Sequence, residues 1–163
     1  MRTADIDETP LPGETPRDYV LRLAEEKARA VHTGSSEIIL AADTTVVLGN
    51  EILGKPEDNA DAVRMLSALA SRSHEVLTGI CVLRRDGWRA VDVASTTVWF
   101  SDVTDREIAA YVASGEPLDK AGSYAIQGLA SRWISRIEGS YSNVVGLPVA
   151  MVYGLLREAG CDL

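Results

Sequence analysis

With 163 residues, 46% of them hydrophobic and 25% charged, the chain has the size and composition of one globular domain, and no tract in it reads as disordered. Its 16 Lys and Arg against 24 Asp and Glu give a formal net charge of −8, which excludes extended DNA or RNA binding and requires a polyanionic small substrate to meet a local basic pocket with a metal ion. Cys81 and Cys161 supply neither a disulfide framework nor zinc spacing, and there is no apolar run of membrane-spanning length and no signal-peptide pattern, so a reducing cytoplasm and no membrane partner are expected.

The first residues, Met1 to Gly13, carry Asp5, Asp7 and Glu8 and then two prolines, which reads as a strand end running into a loop. Thr15-Pro16 predicts a helix start, with threonine as the cap, proline in the first turn and Asp18 favouring the dipole; the helix should run to about His32 and stop at Gly34. Val20, Leu23, Ala24, Lys27 and Val31 share one face, so Lys27 falls on the apolar seam, where periodicity alone favours a lysine that snorkels out of the core.

Ile38 to Ala42 is a short buried run ending in one carboxylate, Asp43, a pattern of a core strand delivering an acid to a sheet edge. Thr44 to Leu48 continues the strand, Gly49-Asn50 predicts a two-residue hairpin, and Glu51-Ile52-Leu53 returns before Gly54-Lys55-Pro56 breaks the ladder and brings Lys55 back toward Asp43. Asp58 or Asn59 then caps a helix packing through Ala62, Val63, Leu66 and Leu69. Two scaffold strands, Glu75 to Leu83 and Trp88 to Phe100, are joined at Asp86-Gly87. Thr104 and Glu107 form a capping box for a helix to about Ser114, with Ile108, Tyr111 and Val112 inward and Gly115 ending it. Asp119 to Gly128, DKAGSYAIQG, is an irregular loop of the kind that lines sites; Arg132 to Ile137 reads as a strand, Gly139 to Asn143 as a polar turn, and Pro148 to Ala159 as a last helix packing through Val152, Leu155 and Leu156.

Seven segments in order, DIDETPLPGE, RLAEEKARAV, AADTTVVLGNEILGKP, DAVRMLSAL, HEVLTG, GEPLDKAGSYAIQG and GSYSNVVGLP, resemble the Maf family of nucleotide pyrophosphatases over nearly the whole chain. The resemblance implies an α/β domain over residues 1–163, a central mixed sheet flanked by helices with two lobes around a cleft, related to the ITPase fold. It also implies an upstream strand, an S-x-S-P-R-R phosphate loop and a helix; none stands in this sequence, which is expected to be an N-terminally shortened form.

By the same resemblance Asp43 is the proton acceptor, Glu8 supports the metal and water site beside it, Lys27 and Lys55 hold phosphate oxygens, and Mg²⁺ or Mn²⁺ is the cofactor, held by Asp43 and Glu8. The chemistry suits these types: splitting a nucleoside triphosphate between α and β phosphates needs an activated water and charge neutralisation, and carboxylate oxygens are ligands for hard cations. A carboxylate of pKa ~4 is a poor base near neutrality unless a metal or burial assists it. The branch of the family acting on dTTP and UTP carries an Asp-Thr pair and Y-x-I-Q-G, as here at Asp43-Thr44 and Tyr124 to Gly128, whereas the 7-methyl-GTP branch has Asp-Gln and a glutamate in place of Gln127. An amide offers both a donor and an acceptor to a pyrimidine edge. The expected partner is therefore a pyrimidine nucleoside triphosphate, with a homodimer left open. The alternatives are an impaired nucleotide-binding form and a non-enzymatic regulator of septum formation.

Read without the resemblance, Asp43 is equally a turn cap, Lys55 a solvated turn residue and Glu8 a surface charge, while His74 reads as a hydrogen-bonded structural histidine and is left out of the site. The sequence carries no G-x-x-x-x-G-K-[ST], G-x-G-x-x-G or G-x-S-x-G, so P-loop, Rossmann and serine-hydrolase readings have no support.

Overall fold

A computed structural model describes residues 4–31 and 37–162. Five strands, β1 (Ile39–Leu48), β2 (Glu51–Leu53), β3 (Ser73–Leu83), β4 (Arg89–Phe100) and β5 (Ile134–Glu138), form one sheet in the order β2-β1-β3-β4-β5. Helices flank this sheet, giving the expected α/β architecture. All four pairings are antiparallel, however, where a mixed sheet was expected. The reason is the crossover through α2 (Asn59–Leu69): β2 and β3 run the same way, but β1 lies between them, so they never pair.

The hairpin turns follow the residues. Leu48 pairs with Glu51 across Gly49-Asn50, and Gly49 takes the positive φ of 64° that such a tight turn demands. Asp43 lies inside β1, opposite Gly79 of β3, rather than at a strand end.

Strand alternation divides the sheet into two faces. One face, with Val47, Leu77 and Cys81, is covered by α1 (Pro16–Ala30), which buries Tyr19, Val20, Leu23, Ala24 and Ala28. Its start is as expected, with the Thr15 side chain accepting from the Asp18 N–H and proline in the first turn; Val31 caps its end, and the expected stop at His32 and Gly34 falls outside the described residues. Gly79 lets this helix approach. A Cβ there would stand 2.2 Å from the Val20 carbonyl oxygen, which is backbone and cannot swing away.

The opposite face carries α2, α3 (Asp105–Ala113), α4 (Tyr141–Val145) and α5 (Val149–Glu158). Helices α2 and α3 pack over Val46, Val76 and Val98 with Phe100, Tyr111, Tyr124 and Trp133; α5 packs separately over Ile80 and Val82 through Val152, Leu155 and Ala159. A cavity opens on this face, lined by Val46 and Val76 of the sheet, by Tyr124 and by Val144 and Gly146. In α2 the fourth core residue is Met65, not Val63, which is 38% exposed: with Ala62, Leu66 and Leu69 fixing the stripe, position 63 falls to its flank. The expected polar turn at 139–143 is the N-terminus of α4, capped by Ser140 accepting from the Asn143 N–H. No helix among the described residues is long and apolar enough to cross a membrane.

Candidate functional site

The acid at position 43 faces α1. Lys27 projects from that helix and donates to Asp43 Oδ1 at 2.6 Å, while its Nζ also meets Glu8 Oε1 at 2.7 Å, so one ammonium bridges two carboxylates. The two acids differ in setting: the Asp43 side chain is 10% exposed and that of Glu8 48%. Glu8 is held by its backbone, whose carbonyl accepts from the Tyr19 hydroxyl at 2.9 Å. Arg22 reinforces this loop, with Nε and Nη2 on the two oxygens of Glu14 at 2.6 and 2.8 Å and Nη2 also on the Thr9 carbonyl at 3.2 Å. An acidic, proline-flanked segment is thereby fastened to α1 and its glutamate delivered to Lys27.

Burial is the largest influence on Asp43 and pushes its carboxyl above the usual range, against the pull of the neighbouring Lys27; Lys55 also reaches it electrostatically. Lys27 loses from burial, but its hydrogen bonds to Asp43 and Glu8 outweigh that loss and hold the ammonium above its ordinary pKa. Asp43 Oδ2 takes no hydrogen bond among the described residues, so one oxygen is anchored and the other is free to accept a proton.

Thr44, the next residue, points to the other face. Its hydroxyl meets Thr78 Oγ1 at 2.9 Å and the Gly146 carbonyl at 3.4 Å, and it lines a cavity of about 270 Å³ with Lys55, Lys120, Tyr124, Gln127 and Gly146. The expected site residues thus fall into two groups: Glu8, Lys27 and Asp43 on the α1 face, and Thr44, Lys55 and Gln127 at the cavity. Lys55 joins them, since it lines the cavity and its charge is felt at Asp43. Lys27, expected on phosphate, rests on carboxylates in this state. The Gln127 side chain is exposed and makes no hydrogen bond within the described residues, which leaves both ends of its amide available.

The Maf family profile, described as Maf-like protein, matches residues 1–159. The chain belongs to the Maf family. It is 57% identical over 166 residues to a dTTP/UTP pyrophosphatase of Anaeromyxobacter dehalogenans strain 2CP-C, covering 100% of this chain and 84% of that one. Similar figures hold for proteins of the same name from Sphingopyxis alaskensis, at 51% identity over 98% of this chain and 84% of the relative, and Koribacter versatilis, at 47% over 98% and 83%. A solved Mycobacterium abscessus structure described as a nucleoside-triphosphatase / dITP/XTP pyrophosphatase aligns at TM-score 0.44 and 13% identity, over 94% of this chain and 75% of that one.

Several residues at the cavity were not singled out from the sequence. Asp119 and Lys120 stand at the cavity, paired at 2.7 Å, and Val144, Val145 and Gly146 close its far wall from α4. The irregular, glycine-bearing 119–128 loop flags the first pair; a five-residue helix is too short to show a period. His74 is hydrogen-bonded as expected, with Nε2 on the Tyr124 hydroxyl at 2.8 Å, and it is buried directly behind the cavity wall.

Proposed function

We propose that this chain is a nucleoside triphosphate pyrophosphatase that hydrolyses dTTP or UTP to the monophosphate and pyrophosphate. The observation that carries the reading is the buried Asp43 held at one oxygen by Lys27, one residue along the strand from a cavity whose wall presents the free Gln127 amide. The relatives' name, dTTP/UTP pyrophosphatase, supports the same substrate.

In this reading the cavity takes the pyrimidine. The Gln127 amide donates to O4 and accepts from N3–H, while Thr44 packs beside it. Lys55 lies between base and acid and neutralises phosphate charge as a point cation. Asp43 Oδ2 takes a proton from the attacking water. Its raised pKa suits a base better than an ordinary aspartate, because the driving force for proton transfer is larger. Lys27 orients that base through Oδ1 and, on reorganisation, gives its charge to a phosphate oxygen.

Asp43 and Glu8 are also the residues that would hold a divalent cation. The set fits: both carboxylates already share one cation, and Mg²⁺ commonly takes only one or two protein carboxylates, with water and substrate phosphates completing its shell. Among the described residues no cluster of three or more His, Cys, Asp or Glu could hold a metal ion by itself, so water and substrate phosphates would have to complete the shell. The ion supplies charge neutralisation and a lowered pKa for the water.

The test is product analysis with dTTP and UTP in Mg²⁺ or Mn²⁺. Monophosphate plus pyrophosphate is expected, and Asp43→Asn should reduce the rate at least ~10³-fold, beyond the 10²- to 10⁴-fold range's lower half for a lost general base. A diphosphate with orthophosphate, or an Asp43→Asn variant of unchanged rate, refutes the reading.

A further inference from the structure

The segment carrying Gln127 has no helix or strand to hold it. It is a tight turn, closed by the Gly128 N–H donating to the Ala125 carbonyl at 3.1 Å. Both ends of this turn lead to one side chain. Glu116 follows Gly115, whose left-handed backbone (φ 78°) ends α3 and turns the chain back. Its Oε1 accepts from the Leu129 N–H at 3.0 Å and from the Tyr111 hydroxyl at 2.8 Å, and its Oε2 lies 3.2 Å from the same Leu129 nitrogen. The Tyr111 hydroxyl in turn accepts from the Ala125 N–H at 3.4 Å. Residue 125 is thus tied through the phenol, residue 129 directly, and Gln127 sits midway.

The anchor is rigid. Tyr111 is 1% exposed and packs edge-on against Trp133 with ring centroids 5.1 Å apart, and burial raises its pKa so that the phenol keeps the proton it donates to Glu116. Gly128 presses against the carboxylate, since a Cβ there would stand 1.9 Å from Glu116 Oε1. Glu116 itself does not line the cavity. A carboxylate that takes two hydrogen bonds from a loop end and a buried phenol, without touching the cavity, is placed to fix the loop and not to bind phosphate.

We propose that Glu116 is a positioning residue for base recognition: it clamps the Ala125–Leu129 turn through Leu129 and Tyr111 so that the Gln127 amide faces the base, a role that rests on the reading of Gln127 above. Removing the clamp lets the turn sample other geometries, so binding of the base weakens while the Asp43 chemistry on the other face of β1 is untouched.

The experiment compares kcat/KM for dTTP with that for GTP in the full chain and its variants. Glu116→Ala should lower the dTTP value about tenfold, through KM with kcat nearly unchanged, and the GTP value less than twofold. Glu116→Gln keeps the Oε1 acceptor and should restore most of the ratio. Tyr111→Phe cuts the Ala125 tie and the phenol's bond to Glu116 but leaves the carboxylate on the Leu129 N–H, so it should move the ratio the same way by less, and Gly128→Ala should displace the carboxylate with the effect of Glu116→Ala. Thermal unfolding identifies any variant that fails to fold, and Glu116→Gln with Tyr111→Phe then decides. A ratio unchanged in Glu116→Ala and Tyr111→Phe while Gln127→Ala lowers it overturns the positioning role and leaves the base reading intact. A ratio unchanged in all three, Gln127→Ala included, overturns both.

Discussion

Acidification should destabilise this protein through His74 by an amount the structure allows to be worked out. The imidazole is 3% exposed; it is wedged edge-on between Phe100 and Tyr124, with Nε2 on the Tyr124 hydroxyl and Nδ1 buried without a partner. No carboxylate offsets its burial, which pulls its pKa from 6.5 down to about 4. The folded state therefore holds the neutral ring, while the unfolded chain takes up a proton below pH 6.5. The stabilisation is complete above that value and is lost as pH falls toward 4. At 1.36 kcal/mol per pKa unit the whole contribution is about 3 kcal/mol, of which about 2.5 is gone by pH 4.5.

Urea unfolding from pH 7.5 to 4.5 measures this if the wild type is compared with His74→Gln, which cannot titrate yet can still bond the Tyr124 hydroxyl. The carboxylates titrate in both proteins and cancel in the difference. Wild-type stability should fall by about 2.5 kcal/mol more than that of the variant over this range. Parallel curves would show that His74 is solvated in the folded state, and the account of its burial would be wrong.

Two further outcomes follow from the site. Lys27→Met removes the cation shared by Asp43 and Glu8, and stripping one partner from a buried pair costs about 3–5 kcal/mol, here reduced to about 1–3 because the lysine is partly exposed; hydrolysis should be lost with a lowered Tm, and a variant with wild-type kcat would show that Asp43 needs no orientation. Gln127→Glu replaces the donor to O4 with an acceptor, so at ~1–3 kcal/mol for an unmade buried contact the ratio of dTTP to 7-methyl-GTP turnover should fall ~10- to 100-fold; equal losses on both substrates would remove Gln127 from base recognition.

Local signals gave most of the elements. Thr15-Pro16, Gly49-Asn50 and the Thr104/Glu107 capping box each act within a few residues, and each reads directly as the helix start or turn it makes. The antiparallel pairing was not legible, because periodicity reports which faces are buried and not which strand lies beside which. Helix α4 was missed for a related reason: five residues, of which only Asn143 is buried, show no stripe. For the site, Lys27 on an apolar seam was a visible anomaly, yet its two carboxylate partners come from positions 8 and 43, and no spacing rule joins residues 16 and 19 apart on different elements. Glu116 was invisible, since its meaning lies wholly in the turn it holds.

The arrangement makes the register of one strand pair decide the chemistry. Asp43 and Thr44 are neighbours, so the pleat sends the acid to α1 and the threonine to the cavity. A slip of one residue against β3 would send each side chain to the other face: in one direction the Asp43 carboxylate would take the place of Thr44 toward the Gly146 carbonyl, and the methyl of Ala42 would face Lys27. Three features oppose that slip: the two-residue Gly49-Asn50 turn fixes where β1 ends, Thr44 and Thr78 bond across the pair, and at Gly79, opposite Asp43, a Cβ would strike the α1 backbone. Moving any other β3 residue under Val20 would push α1 away and carry Lys27 out of reach of the acid. The glycine thus secures at once the approach of the helix, the register of the strand, and the meeting of Lys27 with Asp43.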